Sequence, residues 1–129
     1  MNITNLLYII LCLFFFAIGV VSGQEYIDHT NFSNKIAKDV SVVEFWVGWN
    51  SANEFADINK LKECNVYRVD IASCRKLPGK YDIVGVPTVL VFENGEERER
   101  FYPNIMFQLD ADKKTIQHSI DTIILNKFQ

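Results

Sequence analysis

The chain has 129 residues, 49% hydrophobic and 22% charged, with a net charge of −3, which suits one compact domain with its own core. A mildly acidic surface without a basic cluster gives no reason to expect nucleic acid as a partner. No internal repeat and no low-complexity linker divides the chain, and the Asp, Glu and His residues show no metal-ligand spacing.

From Leu6 to Val21 the chain is one apolar run without a charge. As a helix it would rise roughly 24 Å, short of the ~30 Å hydrocarbon core of a bilayer. Small residues follow, Ser22 and Gly23. Residues 1–23 therefore read as a secretory signal peptide cut after about Gly23, with a retained signal anchor as the alternative. A membrane is expected as a partner only if the segment is retained. Cleavage leaves 24–129 as a single domain, secreted or held in the endoplasmic reticulum lumen. The tail, Asn126-Lys127-Phe128-Gln129, is not the usual retrieval signal.

Glu25-Tyr26-Ile27 is a short strand candidate. Asn31 or Ser33 can cap a short helix with Phe32, Ile36 and Ala37 on its apolar side, ending before Val40. Asn31-Phe32-Ser33 is also an N-glycosylation sequon, meaningful only in the secretory pathway. Val-Val-Glu-Phe-Trp-Val, residues 42–47, is β-branched and aromatic with one carboxylate, Glu44, as in a strand buried on both faces. Trp49, Asn50, Ser51, Ala52 and Asn53 form a turn entering a helix predicted from Ala52 to Glu63, with Phe55, Ile58 and Leu61 facing inward at three-residue spacing. A strand follows over 66–71. A loop and short helix occupy 73–81, interrupted by Pro78-Gly79.

Residues 88–92, Thr-Val-Leu-Val-Phe, form another apolar strand, and Asn94-Gly95 is a tight hairpin turn. The returning strand, 97–102, alternates Glu97, Glu99 and Phe101 with Arg98, Arg100 and Tyr102, and so many charges suit a sheet edge. Residues 103–109 are apolar enough either to pack down or to offer a contact patch. The last helix starts at Asp110 or Asp112, runs to about Leu125, and lays Ile116, Ile120, Ile123 and Ile124 on the sheet, with His118 off that stripe.

Phe45-Trp46 through Trp49, together with Val86-Pro87-Thr88, resembles the active-site strand, loop and cis-proline turn of the thioredoxin and protein disulfide isomerase family. The resemblance implies an α/β thioredoxin-like fold, a central mixed β-sheet flanked by helices on both faces, and a cis Val86-Pro87 bond. In that family cysteines stand at both ends of the four-residue motif after the tryptophan; here those positions are Asn50 and Asn53. An amide can neither attack nor form a disulfide, so thiol-disulfide exchange is not expected at this loop, and no cofactor is implied. The peptide groove that the family builds beside the proline implies an extended peptide or client protein held by Trp49, Val86 and Pro87. Glu44, which in the family lies under the resolving cysteine, is either a satisfied or protonated buried acid or a partner of Asn53.

Cys12 would leave with the signal. Cys64 and Cys74 flank a six-residue strand that spans roughly 20 Å, too far for a bridge between them. Each is a free thiol, a buried apolar group, or one half of an intermolecular disulfide; Cys64 reads as buried or inert, while for Cys74, in a loop, the inert and reactive readings stand level. Three functions follow: a redox-inactive peptide-binding domain of the secretory pathway, an oxidoreductase working through a single relocated cysteine, Cys74 or Cys64, or an accessory subunit docking through residues 105–109.

Overall fold

The computed structural model describes residues 2–5 and 24–129; the expected signal segment, apart from its first few residues, lies outside them. Five strands form one sheet in the order β1-β3-β2-β4-β5, with β1 Glu25–Tyr26, β2 Val40–Trp46, β3 Asn65–Asp70, β4 Thr88–Glu93 and β5 Glu96–Phe101. β1, β3 and β2 run parallel, while β4 and β5 are antiparallel to their neighbours. β2 lies at the centre because six of its seven residues are buried, a burden that only a strand covered on both sides can carry.

Alternation along the strands sorts the core into two layers. Val43, Phe45, Tyr67, Val69, Leu90 and Phe92 point to one face, where α1 (Phe32–Ile36) and α2 (Lys76–Lys80) add Phe32, Ile36 and Leu77. Val40, Val42, Val89 and Val91 point to the other, under α3 (Lys113–Asn126), which supplies Ile116, Ile120 and Ile123. Asp112 caps α3, its Oδ1 accepting the Thr115 N–H at 2.8 Å, as its sequence position predicts.

Several expectations are corrected. No α-helix spans 52–63; the segment forms two 3₁₀ turns, Gly48–Asn53 and Ala56–Lys60. The three-residue spacing of Phe55, Ile58 and Leu61, all buried, matches the 3.0-residue turn of a 3₁₀-helix better than the 3.6 of an α-helix. Pro78-Gly79 does not interrupt α2 but lies inside it; Pro78 sits in the first turn, where its missing N–H has no carbonyl to meet. Ala37 is exposed beyond α1. In β5 the strict alternation fails: Val91 faces Glu99 while Phe92 faces Glu97. Arg98 is the extra residue of a β-bulge, which brings Glu97 and Arg100 to one side as an ion pair at 2.6 Å. The hairpin turn itself has positive φ at both Asn94 and Gly95, the primed geometry that this dipeptide favours.

Candidate functional site

β2 delivers the chain to the rim of the sheet. Val47 is still extended (φ −145°, ψ 144°), and the first 3₁₀ turn then kinks at Asn50 (φ −110°, ψ 23°). The kink turns Trp49 outward, 70% exposed, and Asn50 inward, 7% exposed. Beside it the loop from α2 to β4 crosses through a cis Val86–Pro87 bond, the isomer the resemblance implies. Thr88 Oγ1 donates to the Gly85 carbonyl at 2.6 Å and fixes this turn.

Asn50 joins three segments. Its Nδ2 donates to the Phe107 carbonyl at 2.9 Å and to the Val86 carbonyl at 3.4 Å, while its Oδ1 accepts from Asn53 Nδ2 at 2.8 Å. Both ends of the carboxamide are thus engaged, as a buried amide requires. Phe107 turns its ring edge-on to Trp49 at 5.5 Å. Trp49, Ile71, Ile83, Val84, Val86 and Phe107 line a groove of about 260 Å³. It is mostly apolar. Ser51 and Ala52 are exposed on the outer side of the turn.

Glu44 lies behind the loop, fully buried. The strand register sets it opposite Arg68, whose Nε and Nη2 reach its Oε1 at 2.9 and 2.8 Å. Its Oε2 accepts the Phe55 N–H at 2.7 Å, and Arg68 Nη1 reaches Glu54 at 3.4 Å. Burial pushes the Glu44 carboxyl above its ordinary range, against the opposing pull of the Phe55 amide and of Arg68. Burial likewise works against the Arg68 charge, but Glu44 together with Tyr26 and Glu54 more than offsets it. Glu44 is therefore the satisfied buried acid of the two alternatives; Asn53 turns to Asn50 instead.

The thiols fall outside this constellation. Cys64 and Cys74 are free, at opposite ends of β3. Cys74 is only 2% exposed, inside the core layer shared with Phe45 and Leu77, the buried alternative of the two. Its Sγ lies 4.0 Å from His29 Nδ1. Cys64, half-buried at the end of the sheet away from the groove, has its thiol pushed up to about 11 by burial and by Asp121 and Glu63. Asn31 starts α1 with its Oδ1 accepting the Asp28 N–H at 2.9 Å, and His118 is exposed on α3. Among the described residues no group of three or more His, Cys, Asp or Glu side chains could hold a metal ion.

Sequence reasoning missed Arg68 and left the seating of residues 103–109 undecided. An arginine set among Val66, Tyr67 and Val69 was the signal for the first, since a cation inside an apolar strand needs a buried partner. For the second, Gly85 holds the signal: a Cβ there would meet the Pro103 ring at 3.0 Å, so this glycine permits a close approach.

A family model described as Thioredoxin matches residues 24–118. A thioredoxin from Mycoplasma genitalium is 33% identical over 76 residues, covering 50% of this chain and 69% of the relative. Thioredoxin C-2 of Corynebacterium nephridii is 33% identical over 67 residues, covering 43% and 57%. Among solved structures, a mutant thioredoxin from Halobacterium salinarum NRC-1 superposes with a TM-score of 0.64 at 20% identity, over 81% of this chain and 95% of the other.

Proposed function

This chain belongs to the thioredoxin family, and from that premise we propose that it is a redox-inactive member of the secretory pathway that binds an extended peptide or client segment between Trp49 and the Val86-Pro87 turn. The observation that carries the reading is Asn50. At the point of the loop where the resemblance calls for sulfur, a carboxamide stands with its donor and acceptor engaged by Val86, Phe107 and Asn53, and an amide has no electrons to exchange with a disulfide. What the loop does retain favours binding: an exposed indole and an apolar groove beside the cis-proline turn.

The rival reading, chemistry through one relocated cysteine, is weakened by geometry. Cys74 is enclosed in the core, and Cys64, with its thiol pushed up to about 11, carries little thiolate at neutral pH. The secretory assignment rests on the apolar run before residue 24. Two assays test the proposal. Insulin reduction by the purified protein should match that of the double variant Cys64→Ala, Cys74→Ala; catalysis well above it would refute redox inactivity. Titration with an unstructured peptide should shift Trp49 fluorescence and the Val86 amide resonance. A silent titration, with a stable protein complex recovered instead, would favour the accessory-subunit reading. Sequencing of the isolated protein's N-terminus should begin near Gln24.

A further inference from the structure

The groove is not open on every side. Residues 103–109 form a small ordered loop closed on itself: Pro103 bridges to Leu109, Asn104 Oδ1 accepts from the N–H groups of Met106 and Gln108 at 2.8 and 3.1 Å, and the Asn104 N–H donates to the Gln108 carbonyl at 2.7 Å. Two independent contacts seat this loop on the site. At one end the Pro103 ring presses where Gly85 has no side chain. At the other, Asn50 Nδ2 holds the Phe107 carbonyl together with that of Val86.

Phe107 takes φ +56°, a left-handed conformation that is an outlier for a bulky residue and persists only where its surroundings impose it. Its ring, half exposed, lies against Trp49 as part of the groove wall. A strained aromatic residue tied by its carbonyl beside the cis-proline turn therefore lies where an incoming peptide would put its own carbonyl and side chain.

We propose that loop 103–109 is an autoinhibitory strap: Asn50 is the positioning residue that holds it shut, and a client binds by displacing Phe107 from Trp49 and Val86. This rests on the reading of the groove as a peptide site, and it deepens that reading. The preferred client segment is one that offers a large apolar or aromatic side chain in place of the Phe107 ring and a backbone carbonyl in place of the Phe107 carbonyl. Affinity in the native chain is lowered by the fraction of time the strap is closed.

The probe is a fluorescein-labelled decapeptide of Ser and Thr around a central Val-Phe-Val, titrated against the whole chain and two variants. Phe107→Ala removes the ring while keeping the strained backbone; Gly85→Ala sets a Cβ 3.0 Å from the Pro103 ring, which must give way by a few tenths of an ångström and so loosens the strap at its other end. Both should bind the probe about five- to tenfold more tightly than the native chain, the factor expected from losing one or two neutral contacts that hold a closed state. If the native chain binds and neither variant binds more tightly, the strap is refuted while the peptide site stands. If no form binds, the peptide reading fails and the strap with it. A ligand-free measurement keeps the clamp separately falsifiable. Asn50→Ala should free the Phe107 ring from Trp49, read as loss of the NOE between the two rings in the ligand-free chain, and an unchanged contact would overturn the role given to Asn50.

Discussion

Two polar networks grow from one stretch of chain, residues 44–55, and they are built on opposite principles. The inner one, Glu44 with Arg68, Glu54 and the Phe55 amide, is charged and buried, and it is dictated by strand register, because β2 and β3 set Glu44 and Arg68 directly across from each other. The rim one, Asn50 with Asn53, Val86 and Phe107, is neutral and joins loops rather than strands. A buried charge left without its partner is costly, whereas a neutral amide that loses a partner costs less. The inner network should therefore weigh more on folding than the rim network does, and the two should respond differently to substitution.

The largest expected effect lies inside. Arg68→Leu leaves the Glu44 carboxylate buried without its counter-charge and should cost about 3–5 kcal/mol of unfolding free energy at pH 7. The pH dependence follows from the direction of the shift. Burial already raises the Glu44 carboxyl, and loss of the arginine raises it further. The folded state then holds a proton that the unfolded state has released, so the carboxyl's contribution is fully present below the ordinary glutamate range and is lost as pH rises through the folded pKa. The deficit of Arg68→Leu relative to the native chain should thus be greatest at pH 7 to 8 and shrink toward pH 5, as urea denaturation would record. A deficit independent of pH would show that Glu44 is not the group left bare.

A second substitution sharpens the point. Glu44→Gln together with Arg68→Leu removes both charges but keeps an acceptor for the Phe55 N–H. The double variant should recover most of the loss, ending within about 1–2 kcal/mol of the native chain. If it is no better than Arg68→Leu alone, the arginine matters through its bulk over Trp46, 5.9 Å beneath its guanidinium, rather than through charge.

The same division explains what could be read from the sequence. β2, β4, the Asn94-Gly95 hairpin and the Asp112 cap were legible because periodicity and turn chemistry are local properties. Asn50 and Asn53 were legible as departures from a motif. The Glu44–Arg68 pair depends on register between strands 24 residues apart in sequence, the bulge at Arg98 on how β5 meets β4, and the burial of Cys74 on packing around α2. None of these is encoded within a single window. The strap was half legible: its apolar composition raised the choice between packing down and standing out, and the structure does both. Pro103 and Phe107 are seated on the site, while Ile105, at 96% exposure, stands in solvent.

On the rim the effects fall. Asn50→Ala removes the three neutral bonds of a buried carboxamide and should cost about 2 kcal/mol of stability, measured by the same denaturation. A loss as large as that of Arg68→Leu would break the comparison by making the loop tie part of the folding core.

The smallest and most discriminating change is at Asn53. Its Nδ2 donates to Asn50 Oδ1, and that bond supports the orientation in which the Asn50 Nδ2 faces the Val86 and Phe107 carbonyls. Asn53→Ala removes the donor without adding anything, so the carboxamide keeps its orientation through its two other bonds, and stability should fall by only about 0.5 kcal/mol. Asn53→Asp keeps the shape but replaces the donor with an acceptor-only carboxylate. Two oxygens now oppose each other. Turning the carboxamide over relieves that clash but aims its oxygen at two carbonyls, so this variant should lose about 1–2 kcal/mol and loosen the strap more than alanine does. The excess should fade as pH falls through the ordinary aspartate range near 3.9, because a protonated carboxyl can donate to Asn50 Oδ1 again. Equal behaviour of the two variants at neutral pH would mean that Asn53 does not orient Asn50, and that the tie is held by the two carbonyls alone.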